Sequence, residues 1–161
     1  MDNTGVILSL AYPDTIVMVS EEWFSPYLKF IGVGKKDYLR AGHAALVLID
    51  KETGVLEYHD FGRYITPEPN GRVRGSDTDN ELHFPIKAEI ENDKIKNLDT
   101  ILEFLGTHPK LTHGDGKLIA SVCNAINYQK ARTHITKMQN KHFIRYAAFI
   151  KDACNTSQFV I

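Results

Sequence analysis

Apolar positions along the chain fall into short clusters with contrasting periods. Gly5 to Pro13 (GVILSLAYP) and Thr15 to Ser20 (TIVMVS) are rich in β-branched residues and are broken by Pro13 and Asp14. They predict two short strands or one bent ribbon. Ser20 stands as an N-cap before EEWFSPYLKFIG, where early acids and the cluster Trp23, Phe24, Tyr27, Leu28 and Ile31 predict a helix. It closes at Gly32 or Gly34, and Pro26 sets a late start or a kink. AALVLID, then KETG, then VLEYHDF is the clearest local signal: two apolar, β-rich runs joined by four residues ending in Gly, a β-hairpin. From Ile65 to Asn80 the chain is dense in Pro, Gly and polar residues and reads as a long loop, and ELHFPIKAEI after it reads as a strand that Pro85 assigns to an edge. Ile95, Leu98, Ile101, Leu102 and Leu105 recur at helical spacing before Gly106 and Pro109. Leu118, Ile119, Val122, Cys123 and Ile126 repeat that pattern, as do Ala131, Ile135 and Met138, predicting one or two further helices within Gly116 to Asn140. HFIRYAAFI reads as a late strand. The expected class is α+β, an antiparallel β-sheet with packed helices.

The 161 residues suit a single domain over 1–161, able to bury roughly 70% of its unfolded surface. A hydrophobic fraction of 43% with 24% charged residues excludes disordered, collagen-like and coiled-coil classes. Nineteen basic against twenty acidic residues leave a net charge of -1, so no electrostatic footprint for nucleic acid dominates. No apolar run reaches the ~18 to 20 residues of a membrane helix, and the N-terminus lacks the marks of a signal peptide. A cytoplasmic address with no membrane span is the expectation. Cys123 and Cys154, the two cysteines, are too few for a disulfide scaffold or a cysteine-rich zinc site.

Candidate chemistry begins at His43, at the mouth of the hairpin. If Asp50 and Val55 flank the turn, Ala45 pairs with Asp60 and His43 lies opposite Gly62, so His43 and Asp60 share a face. A carboxylate there can accept a hydrogen bond from the ring N–H, fix the tautomer and steady the cation, as in a nucleophilic triad. His59 points to the other face, and a one-residue bulge would exchange the two, so Asp60 ranks above His59. The C-terminal stretch supplies Cys154, Thr156 and Ser157 as nucleophiles. A thiol at a helix start beside an imidazole becomes reactive at neutral pH, whereas Cys123 sits in an apolar helical pattern and reads as core. Arg63, Arg72 and Arg74 flank the long loop as solvated cations able to grip an anion. Asp77, Asp79 and Glu81 lack the spacing of a calcium loop, His108 and His113 lack a zinc context, and GDGK lacks the spacing of a phosphate loop.

These residues carry a resemblance. GHAALVLID, a following strand ending in YHDFGRY, and a late YAAF segment leading into NTSQFV are similar to the circularly permuted papain-like hydrolases. That is the NlpC-related group, which includes the lecithin retinol acyltransferase-like enzymes, and the likeness is strongest to a bacterial branch. It implies a permuted papain-like architecture with the His first, a polar orienting residue on the neighbouring strand, and a late Cys at a helix start. It also implies acyl transfer through a thioester, with no metal or organic cofactor. One departure stands out. The group's pattern is Asn, Cys, two variable residues, then a large apolar residue, and counting back from Phe159 reaches Asn155 and Thr156. Cys154 lies two positions too early, about 200° away around a helix. Ile161 follows Thr156 by five residues, so a truncated or degenerate C-terminus is expected. Two readings stay open. One is a thiol hydrolase or acyltransferase using His43, Asp60 and either Cys154 or Thr156 on a peptide or lipid-like small substrate held in a groove. The other is a catalytically inactive papain-like binding or regulatory module.

Overall fold

The computed structural model describes residues 3–18, 38–40, 42–147 and 151–160. The helix expected around Trp23 to Ile31 lies outside them. Among the described residues six strands form one antiparallel sheet: β1 (Gly5–Tyr12), β4 (His43–Asp50), β5 (Leu56–Gly62), β6 (Asn70–Arg74), β9 (Ile119–Ile126) and β10 (Ile144–Arg145). Their order across the sheet is β10, β6, β5, β4, β1, β9. Two small ribbons flank the sheet, β2 (Ile16–Met18) with β3 (Tyr38–Arg40), and β7 (Ile90–Glu91) with β8 (Lys94–Ile95). Among the described residues the α-helices are α1 (Leu98–Thr107), α2 (Pro109–Thr112), α3 (Tyr128–Gln139) and α4 (Thr156–Val160). The α+β architecture is thus an antiparallel sheet with packed helices. Among the described residues no helix is long and apolar enough to cross a membrane.

The sheet is covered on both faces, which explains the uninterrupted apolar run of β4. Side chains alternate along a strand, so a sheet with one wet face alternates in polarity and a doubly covered one does not. Val6, Leu8, Leu10, Ala45, Val47 and Tyr58 pack on one face with Ile101 and Leu105 of α1. Leu46, Leu48, Phe61 and Val73 pack on the other with Ile135 of α3 and Phe159 of α4. The hairpin has the expected register, with Ala45 opposite Asp60, and Asp50 and Val55 close its turn by a backbone hydrogen bond of 3.1 Å. Gly54 occupies that turn at φ +69°, where a Cβ would lie 2.3 Å from the Ala88 carbonyl oxygen, so two constraints require glycine there.

Three elements differ from the sequence expectation. The stretch from Ile65 to Asn80 is not one loop, because β6 runs through it and pairs Asp60 with Arg74 and Phe61 with Val73. Its arginines disguised a strand whose polar face is held by buried charge. Of Glu81 to Ile90, expected as one strand, only Ile90 lies in a ladder, as the first residue of β7; the stretch opens as a 3-10 turn (Asn80–Leu82) and meets the sheet at a bridge between Val55 and Lys87. Ile119–Ile126 is an edge strand paired with β1, not a helix. Its apolar residues fall at helical intervals, but β-branched Ile and Val suit a strand and the open edge of β1 supplies the partner. Cys123, expected in the core, is consequently exposed.

The two strands respond differently to truncation. Leu48→Ala, at a fully buried position of β4, is expected to cost about 2–5 kcal/mol in urea unfolding. Val122→Ala, on the exposed edge strand at 43% exposure, is expected to cost under about 1 kcal/mol. Equal costs would contradict this placement of β9.

Candidate functional site

Asp60 is fully buried near the end of β5, on the face shared with His43 at the start of β4. An isolated carboxylate there would be strongly disfavoured, and the surroundings answer with donors. Arg74 on the neighbouring strand gives a two-pronged pair, Nε to Oδ1 at 2.9 Å and Nη2 to Oδ2 at 2.6 Å. The Tyr64 hydroxyl donates at 3.0 Å, and the Tyr58 hydroxyl, at 3.1 Å, shares its proton between Asp60 and the Thr112 carbonyl at 3.0 Å. His43 Nε2 completes the set at 3.2 Å. Burial pushes the Asp60 carboxyl up, but the hydrogen bonds of His43 and Arg74 and their charge outweigh it and hold its pKa at about 2. Burial, followed by the charge of Asp60, drives the Tyr58 and Tyr64 phenols well above their ordinary value, so both stay protonated donors.

This arrangement fixes the histidine. An ionised carboxylate only accepts, so the nitrogen facing it must carry a proton. The neutral ring is therefore protonated at Nε2, and Nδ1 holds the free lone pair. The imidazole is stacked on Tyr12, with ring centroids 6.1 Å apart and 26° between planes. Tyr12 in turn lies against Gly114, where a Cβ would come within 2.2 Å of its ring. The Arg74 guanidinium lies 3.9 Å above the Tyr64 ring and also donates to the Leu111 carbonyl at 3.1 Å, which ties α2 to the same network.

His43 opens onto a cavity of about 590 Å³ whose walls include Tyr64, His113, Tyr146 and Thr156. The positions of Thr156 and Cys154 are set by the last strand. Cys154 bridges in parallel to Tyr146, with its amide donating to the Arg145 carbonyl at 2.9 Å, and α4 starts two residues later. That geometry brings Thr156 to the cavity and turns Cys154 away. The Cys154 side chain is buried in the cluster of Phe61, Ile144 and Phe159, on the sheet face opposite His43. Its Sγ contacts the Asn155 carbonyl at 3.4 Å, and burial pushes the thiol pKa up rather than down. The reactive thiol expected at Cys154 thus has burial against it, and Thr156 is the C-terminal candidate that lines the cavity with His43.

The other candidates pair within the molecule. Arg63 bonds Glu68, Arg72 grips Asp79 through both nitrogens at 2.6 and 2.5 Å, and Asp77 meets Arg132 at 3.2 Å. The three arginines are thus not free surface cations. No group of three metal-binding side chains occurs among the described residues. His59 lies on the opposite face, its Nδ1 3.3 Å from the Arg74 carbonyl and its Nε2 3.5 Å from Glu57. His108 stacks on Phe104 at 4.1 Å, whereas His113 reaches the cavity wall, where burial and then the charge of Arg74 lower its pKa. Sequence reasoning overlooked Tyr58 and Tyr64 around Asp60. Tyr58 was legible, because residues two apart on a strand share a face. Tyr64 follows the end of β5 and needed the folded loop.

Comparison with known proteins adds the family. Residues 7–161 match the family described as type VI secretion system effector TseH-like. A crystal structure of the type VI secretion system effector TseH superposes with a TM-score of 0.66 at 19% identity. The match covers 99% of this chain and 74% of that one, a likeness of fold. Comparison with curated proteins found no match.

Acid should reveal the buried carboxylate. Because the Asp60 pKa is about 2 rather than 3.8, the stability it contributes is complete above about 3.8 and disappears as pH falls through about 2. Glu57, pushed up by burial but held down more strongly by hydrogen bonds from His59, Tyr128 and Arg132, also has a pKa of about 2 and adds loss in the same window. Urea midpoints measured from pH 5 to 2 are expected to fall steeply in the native chain and less steeply in Asp60→Asn. Parallel slopes would contradict an ionised Asp60.

Proposed function

The chain belongs to the type VI secretion system effector TseH-like family, and on that premise we propose that it is a delivered effector whose cavity cleaves an amide or ester bond. His43 is the general base, Asp60 the residue that positions it, and Thr156 the nucleophile. One observation carries the reading: the histidine whose Nε2 is engaged by an ionised carboxylate lines the same cavity as Thr156. The chain order of His, orienting acid and late nucleophile supports a permuted papain-like arrangement. An exported effector leaves the cytoplasm, so the cytoplasmic address expected from sequence describes only where such a chain is made.

Each step follows from the lone pair on Nδ1. As the Thr156 Oγ1 attacks the substrate carbonyl carbon, its proton passes to His43 Nδ1, and Asp60 steadies the resulting imidazolium. The carbon–leaving-group bond then breaks, and His43 returns the proton to the departing amine or alcohol, leaving an acyl ester on Thr156. Water attacks that ester, His43 taking its proton and giving it to Oγ1, which releases the carboxylic acid and restores the threonine. A secondary hydroxyl is a weaker nucleophile than a thiolate and depends fully on the base. The alternative of an inactive binding module is favoured by one observation, the burial of Cys154 away from the cavity.

An acylating β-lactone probe followed by peptide mass spectrometry separates these readings. The native chain is expected to be acylated at Thr156, and His43→Ala to lose that label. Thr156→Cys restores the group's Asn-Cys pattern and is expected to alkylate rapidly, with an apparent thiol pKa well below about 8.5 that depends on His43. Cys154 stays slow throughout. An unlabelled Thr156, together with a Thr156→Cys thiol indifferent to His43, would overturn the hydrolase and leave the binding module.

A further inference from the structure

Ile65 stands apart from every other apolar residue described. It is 99% exposed and sits at φ +46°. Left-handed backbone is strongly disfavoured for a β-branched side chain, and a bare Ile in water gains nothing in compensation. The loop around it is nevertheless braced. Thr66 Oγ1 donates to the Asn70 carbonyl at 2.5 Å, Arg72 Nε donates to the Tyr64 carbonyl at 3.1 Å, and Arg63 pairs with Glu68. Tyr64, one residue before, is anchored on Asp60. The side chain is therefore held out by a rigid frame tied to the site itself.

Its surroundings give the exposure a meaning. Ile65 lines the cavity that holds His43 and Thr156, and it also lines an adjoining groove of about 400 Å³ with Val73 and Phe143. Phe143 is 50% exposed, and Ile16, at 60%, lines the cavity. Exposed large apolar residues thus line both openings, Ile16 in the cavity and Phe143 in the groove, and Ile65 is common to the two.

We propose that Ile65 is a specificity-determining residue that seats an aliphatic group next to the scissile carbonyl, with Phe143 covering that group from the groove side. The substrate class is an amide or ester carrying an aliphatic chain or a branched aliphatic side chain beside the bond cleaved. This rests on the reading of the cavity as a substrate site. The ridge itself can be tested without turnover.

Ligand-observed NMR with hexanamide, acetamide, leucinamide and glycinamide measures the preference, and isoleucine methyl labelling locates it. The native chain is expected to bind hexanamide or leucinamide about tenfold more tightly than its short counterpart. The favoured ligand shifts the Ile65 methyl signal, and which of the two gains more separates an acyl chain from a peptide side chain as the source. His43→Ala keeps the preference, because binding needs no base. Ile65→Gly is expected to lose it while unfolding at the same temperature or higher, since glycine accepts this φ. Phe143→Ser is expected to weaken it in part. Equal binding of long and short ligands by the native chain, or a preference untouched in Ile65→Gly, would overturn the inference. A preference that persists where no hydrolysis is seen would overturn the hydrolase alone.

Discussion

The buried negative charge of Asp60 organises the described fold. Asp60 has no contact with solvent and is held by Arg74, Tyr58, Tyr64 and His43, which arrive from β4, β5, β6 and the loop after β5. Removing Arg74 would leave the charge buried without its ion-pair partner, a cost that exceeds that of an ordinary hydrogen bond. The same charge places β6 beside β5 through Arg74 and reaches α2 through the Leu111 and Thr112 carbonyls. It also decides which nitrogen of His43 is protonated. Structure and chemistry therefore rest on the same contacts.

Alternation along β5 divides the polar groups between two environments. Tyr58 and Asp60 face the side on which His43 lies, while Glu57, His59 and Phe61 face α3 and α4. On that second side Glu57 is bound by Tyr128 and by both contacts of Arg132 Nε, at 3.0 and 3.1 Å, so the helix is attached by charge as well as by Ile135. Cys154 belongs to this second side, among aromatic rings, which is why its thiol takes no part in the constellation around His43.

How much was legible in the sequence follows from the range of the interactions. The hairpin is local, and its turn and alternation sufficed to pair Ala45 with Asp60 and to put His43 on the same face. The start of α4 at Thr156 was legible from the spacing to Phe159. The strand β6 was not, because Arg72 and Arg74 read as loop charges until the distant carboxylates of Asp79 and Asp60 are brought to them. Edge strand β9 misled for the opposite reason. Exposed on both faces, it is under no demand for period-two alternation, and its apolar residues could fall at helical intervals by chance. The cavity, assembled from β4, the loop after β5, α2 and the C-terminal segment, depends on contacts that no local pattern encodes.

The base role proposed for His43 requires that Asp60 hold the ring with Nδ1 unprotonated. Nitrogen-15 NMR of histidine-labelled protein above neutral pH tests this most directly, with His43 assigned by comparison with His43→Ala. Neutral His43 is expected to carry its proton on Nε2, with a strongly downfield Nε2–H signal that is lost in Asp60→Asn. A neutral ring protonated at Nδ1, or a tautomer unchanged by removing the Asp60 charge, would contradict it.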